Sequence, residues 1–257
     1  MPDALEIAAW LDALLRTTEI PDYPGALNGL QLASRGRIRS IACAVDYSTT
    51  TVRESARIGA DMLLVHHGMF WGGPQPLRGP AYERLATLVS SDVAVYSSHL
   101  PLDLHPELGN NILLARRLGL EAQSGFARFK TIEVGVSGSA DVPTADLLAG
   151  AARLAVEFGG NVVSTPFEPG RKTRRWGICS GAGADTDTIR EALERGIDTM
   201  IVGEGPHHTA VAARDHGIVI IYAGHYATET LGIRALGDRV ATEFGITSRF
   251  IDAPTGL

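Results

Sequence analysis

Apolar positions along the chain change period repeatedly, and each change predicts an element. Over residues 4–16, Ala4, Ile7, Trp10, Leu11, Leu14 and Leu15 recur at three- and four-residue steps, with Glu6 and Asp12 off that face. That spacing belongs to an amphipathic helix. Residues 21–29 lose the period and are rich in Pro and Gly, which predicts a loop. Residues 38–45 form a short apolar run with a β-branched bias and read as a strand, followed by a helix over 49–58. Residues 62–65 are apolar without alternation, as in a strand covered on both faces. A helix over 81–89, a strand over 93–97 and a helix over 110–118 complete the first half.

The second half reads the same way. Strands are predicted over 131–136, 176–179, 199–202 and 218–222, and helices over 144–158, 186–195, 207–216 and 226–244. Alternating strands and helices indicate an α/β class with sheets covered by helices. The two halves are also related. Thr51 to Gly68 reads TVRESARIGADMLLVHHG and Thr188 to Gly205 reads TIREALERGIDTMIVGEG, with seven of eighteen positions identical and five more apolar in both. The expected architecture is therefore two similar, interlocked α/β lobes from an internal duplication. The first would span 1–125, completed by the C-terminal helix within 225–257, and the second 126–224.

Composition narrows the function. The 257 residues are 45% hydrophobic and 20% charged, with a formal net charge of −6. Those values are ordinary for a globular chain, and an acidic balance disfavours nucleic acid as a partner, because phosphate contacts need clustered Lys and Arg. The locally basic run Arg171-Lys172-Thr173-Arg174-Arg175 reads as a solvated hairpin flank. Cys43 and Cys179 have no CxxC spacing and read as small buried hydrophobes. The start of the chain lacks a basic region followed by an apolar core, and no stretch nears the ~20 apolar residues of a membrane span. A cytoplasmic location without membrane contact is the expectation.

Histidines and acids carry the chemistry. Each repeat is followed by Tyr-x-x-His-x-x-x-acid: Tyr96, His99 and Asp103, then Tyr222, His225 and Glu229. His66-His67 ends a predicted strand, where successive side chains point to opposite sides and each imidazole can serve a different ion. One buried and one exposed histidine would give the same pattern. His225 and Glu229 share a helix face at i,i+4 and can chelate one ion or bridge two. His99 and Asp103 have the same separation, but Pro101 breaks a simple helical reading, which puts Asp103 on a loop. His99 is either a ligand or a residue that orients one. Glu204, His207 and His208 follow the second repeat and are candidates for proton transfer or substrate positioning, as is His99. Imidazole and carboxylate ligands without thiolate suit Zn, Mn, Fe, Ni or Co. Two such ions about 3.5–4 Å apart would hold a bridging hydroxide. GxSxG, P-loop and GxGxxG motifs are missing.

Taken in order, these motifs resemble the NGG-interacting-factor-three-like family, whose members include GTP cyclohydrolase 1 type 2 homologues. The resemblance rests on Asn28-Gly29-Leu30-Gln31, Ala60 to Gly68, Ser98-His99-Leu100-Pro101-Leu102-Asp103 and Gly109-Asn110-Asn111. It continues through Gly203-Glu204 with His207-His208, and Gly224-His225-Tyr226-Ala227-Thr228-Glu229. It implies two divalent ions per subunit on His66, His67, Asp103, His225 and Glu229, with Glu229 bridging, and a homohexameric ring. The spacing between the lobes resembles the family's short form without a central insertion. Gly68-Met69-Phe70 departs from the Pro that many relatives carry after the two histidines, without touching a ligand.

Two functions follow. One is a metal-dependent hydrolase acting on a nucleotide or related small molecule. The other is a non-catalytic metal-binding scaffold, metallochaperone or regulatory ring. Five protein ligands for two ions leave positions open for water, which favours the hydrolase.

Overall fold

The structure, a computed structural model, describes residues 1–257. In chain order it opens with α1 (Ala4–Leu15), β1 (Gly29–Leu32), β2 (Ser40–Asp46), α2 (Thr49–Arg57), β3 (Met62–His67), α3 (Pro80–Ser90), β4 (Ala94–Ser97) and α4 (Leu100–Asp103). There follow α5 (Asn110–Arg117), β5 (Ser124–Phe129), β6 (Ile132–Pro143), α6 (Thr144–Glu157), β7 (Val163–Ser164) and β8 (Lys172–Cys179). The chain ends with α7 (Thr186–Glu194), β9 (Thr199–Val202), α8 (His207–Asp215), β10 (Val219–Tyr222), α9 (His225–Phe244) and β11 (Thr247–Phe250). The class is α/β, with two sheets. No helix is long and apolar enough to cross a membrane.

The chain divides into two compact units. Unit one comprises Met1–His105 and Gly232–Ala253; unit two comprises Pro106–Leu231 and Pro254–Leu257. In unit one the sheet order is β1-β4-β3-β2-β11, with β4, β3, β2 and β11 parallel and β1 antiparallel on β4. Met62, Leu63, Leu64 and Val65 are all buried, as the unalternated apolar run of β3 requires. In unit two the order is β5-β6-β8-β9-β10-β7, with β8, β9 and β10 parallel.

The sequence repeat is realised as a repeated helix and strand. Helices α2 and α7 have equal length, and β3 and β9 start the same number of residues after them. Each helix is capped alike: Ser48 accepts from Thr51 N and Asp185 accepts from Thr188 N. Both cysteines are buried.

Three expectations change. Pro101 does not break the turn after His99, because it falls in the first turn of α4, where a missing N–H costs no helical bond. Asp103 therefore ends a helical turn instead of standing on a loop. The basic run is not a hairpin flank: Lys172 to Arg175 lie within β8, and Asp141 pairs with Lys172 at 2.9 Å and Arg174 at 3.0 Å. Strands β1, β5, β7 and β11 were not legible, being short or partly exposed, so neither a buried run nor a long alternation marks them. Replacing Asp185 with Ala removes the α7 cap and should cost about 1 kcal/mol in chemical denaturation, with Asp185→Asn close to wild type.

Candidate metal centre

In unit one the candidate ligands arise from adjacent parallel strands and the turn that follows them. Strand β3 ends in His66 and His67, whose rings lie 4.9 Å apart. His66 is fully buried, and its Nδ1 lies 2.8 Å from the Ser98 carbonyl. His67 Nδ1 lies 2.8 Å from Asp46 Oδ1, a pairing set by the β2–β3 register that puts Asp46 opposite His67. His99 precedes α4, and its Nδ1 lies 2.8 Å from Asp22 Oδ1. One ring nitrogen from each of His66, His67 and His99 falls within a single 4.8 Å group. Asp103 is buried, with Oδ2 3.5 Å from His66 Nε2.

Asp22 organises this group. Its carboxylate accepts from the His99 ring, Tyr23 N, Leu100 N and Asn28 Nδ2, while Asn28 Oδ1 accepts from His99 N. Burial pushes the Asp22 carboxyl up, but His99 and the other donors outweigh it and hold it below its ordinary value.

In unit two the candidates sit at the start of α9. His225 Nε2 is 3.2 Å from the buried Glu229 Oε2, and His225 Nδ1 is 2.7 Å from Glu204 Oε1. A metal with ligands at ~2.0–2.2 Å holds two of them roughly 3–3.5 Å apart, so His66 with Asp103 and His225 with Glu229 each have a chelating separation. Burial lowers the His225 pKa, but Glu229 and then Glu204 reverse the shift and raise it to about 9.

The duplication explains the asymmetry of the units. Gly203 matches His66 in the repeat, and a Cβ there would sit 2.8 Å from His225 Cα and 2.5 Å from the Gly181 carbonyl. The entry of α9 thus occupies the space a side chain would need. Glu204, matching His67, supports His225 instead of offering an imidazole.

His207 and His208 lie at the exposed start of α8, where His208 Nε2 is 3.4 Å from Thr186 Oγ1, and neither belongs to the imidazole groups. The tyrosine of the first motif is structural. Tyr96 is buried and donates to Asp12 Oδ1, tying β4 to α1. Sequence reasoning gave no role to Asp22, Asp46 or Asn28. Strand pairing brings Asp46 to His67, and Asp22 and Asn28 come from a loop far from His99 in the chain.

The fold and these groups define an α/β protein of two repeated units, with buried His and Glu side chains able to hold a metal ion. A family model described as Duf34/NIF3 (NGG1p interacting factor 3) matches residues 3–255. A Deinococcus radiodurans protein named GTP cyclohydrolase 1 type 2 homolog is 40% identical over 252 residues, covering 98% of this chain and 94% of its own. A Pyrococcus abyssi protein of the same name is 40% identical over 257 residues, covering 98% of both. Among solved structures, protein ybgI superposes with a TM-score of 0.87 at 34% identity, covering 99% of this chain and 100% of that one. TTHA1606 from Thermus thermophilus gives 0.81 at 32% identity, with the same coverage. The chain belongs to the Duf34/NIF3 family.

The raised pKa of His225 has a testable sign. In metal-free protein the imidazolium is held by Glu229 and Glu204. The stability this contributes is fully present below the ordinary value of ~6.5 and is lost as pH rises through about 9. Proton NMR of the metal-free chain should show one histidine titrating near pH 9. Glu229→Gln should move that midpoint down.

Proposed function

We propose that the protein is a metal-dependent hydrolase acting on a nucleotide or related small molecule, with two divalent ions held by His66, His67, Asp103, His225 and Glu229. The observation that carries the reading is the anchoring of Nδ1. Ser98 O, Asp46 and Glu204 engage that nitrogen in His66, His67 and His225, which leaves Nε2 of each ring available to a metal and so supports the reading. The donor set, imidazole and carboxylate without thiolate, suits Zn, Mn, Fe, Ni or Co. Bound ions would supply a water acidic enough to attack at neutral pH and positive charge opposite a developing oxyanion.

The remaining steps fall to the chain itself. Asp46 and Glu204 fix the imidazole orientations. His99, with Nδ1 turned to Asp22, keeps Nε2 to take or return a proton beside His66 and His67. Relatives at 40% identity bear a name that speaks of GTP, which supports a nucleotide as the substrate class. The resemblance to the family also supports assembly as a ring of six, to be read by light scattering as six times the 27.3 kDa chain mass.

Metal analysis of the purified protein should find two divalent ions per chain, and a panel of nucleotides and phosphoesters should show turnover that Glu229→Gln reduces at least ~100-fold. No turnover across the panel, or an unchanged Glu229→Gln enzyme, refutes the hydrolase. Asp46→Asn should weaken metal affinity ~10–100-fold while leaving the fold intact. Because imidazole ligates as the neutral base, uptake near pH 7 should release a proton from His225, seen as a calorimetric heat that varies with the buffer.

A further inference from the structure

Two aromatic side chains beside the imidazoles of unit one have no part in the chemistry above. Trp71 is 42% exposed and Tyr23 51% exposed, although each has an aromatic ring beside it. The Trp71 ring lies 4.5 Å from that of His99 and 4.9 Å from that of His67. The Tyr23 ring lies 6.0 Å from His99 and 6.3 Å from Trp71, steeply inclined to the indole at 72°. Two rings at that inclination make a corner. A flat ring laid on one would present its edge to the other, the two arrangements aromatic pairs prefer.

Single exposed aromatics are common and mean little. These two differ because their loops are fixed from behind. Gln31 Oε1 accepts from Met69 N at 2.7 Å, and Gln31 Nε2 donates to the carbonyls of Ala26 and Leu27. One amide thus joins the loop before Trp71 to the loop after Tyr23. The loops also touch directly, for a Cβ on Gly25 would sit 2.7 Å from the Trp71 carbonyl, contact that only glycine permits. Tyr23 N donates to the same Asp22 carboxylate that holds His99. A rim built this way holds its aromatic surface toward solvent at no further cost in ordering when a ligand arrives.

We infer that Trp71 and Tyr23 form a stacking site for the planar nitrogen heterocycle of the ligand that reacts at the imidazole cluster, and so select for ring-bearing substrates. The inference rests on the reading of that cluster as a ligand-binding metal site. Stacking on an aromatic side chain favours a base of any identity, since each has a π face, so Trp71 and Tyr23 set the class of substrate.

The test uses the zinc-loaded 257-residue chain and intrinsic tryptophan fluorescence. Trp176 is fully buried and Trp10 partly so, which leaves Trp71 as the indole most open to a ligand. GMP, AMP or UMP should quench emission and bind at least ~10-fold tighter than ribose 5-phosphate, which carries no ring. Trp71→Ala should lose ~10-fold in nucleotide affinity by calorimetry, while Trp71→Phe stays within ~3-fold and both keep wild-type zinc content. Tyr23→Leu should give a smaller loss in the same direction. Equal affinity for GMP and ribose 5-phosphate, no binding of any nucleotide, or unchanged affinity in Trp71→Ala overturns the stacking site. Wild-type protein that takes up no zinc refutes the metal reading instead, and the nucleotide comparison still decides the rim.

Discussion

An imidazole offers two nitrogens, and a metal needs one of them aimed and unprotonated. Here the choice is made by what holds Nδ1. A carbonyl fixes His66, and carboxylates fix His67, His99 and His225. Each acceptor is supplied by the fold at a place where backbone geometry is already determined: a strand register for Asp46, a strand end for Glu204, a turn for Ser98. Each candidate group therefore depends less on the ligands than on the scaffold's delivery of their supports. A histidine without such a support would be free both to flip its ring and to exchange its proton between the two nitrogens, and would hold nothing well.

The duplicated unit shows how one supersecondary piece can serve different ends. Both copies place a capped helix before a buried strand, and the two copies diverge where that strand ends. In the first copy that end carries two imidazoles. In the second, α9 approaches so closely that only glycine fits at 203, and the next residue supports His225. Divergence between the copies follows from packing as much as from chemistry.

Much of this was legible in the sequence, for identifiable reasons. The unalternated run at Met62 to Val65 marked a covered strand, and the helices with apolar faces or clear caps were recovered near their bounds. His66-His67, His99 with Asp103 and His225 with Glu229 stood out as candidates through their spacing, which is a local property, and the five-ligand set came from the family resemblance. What was hidden is non-local. Asp46 meets His67 across a sheet, Asp22 meets His99 from a loop far upstream, and Gln31 joins two loops through main-chain groups. Pro101 misled because its effect depends on its place in a helix, and the first turn tolerates it.

Gln31 has a consequence for how this protein can change. Its amide contacts the Met69 nitrogen and the Ala26 and Leu27 carbonyls, none of which depends on the side chain attached. Most residues of the two joined loops can be exchanged without loosening the joint. Gln31 itself has almost no substitutes, since Glu would set a negative charge against two carbonyl oxygens and Leu would leave three main-chain groups unserved. The rim of the site is thus a surface where new specificities can be tried by replacing what faces outward, provided the inward-facing amide of Gln31 and the glycine at 25 stay in place.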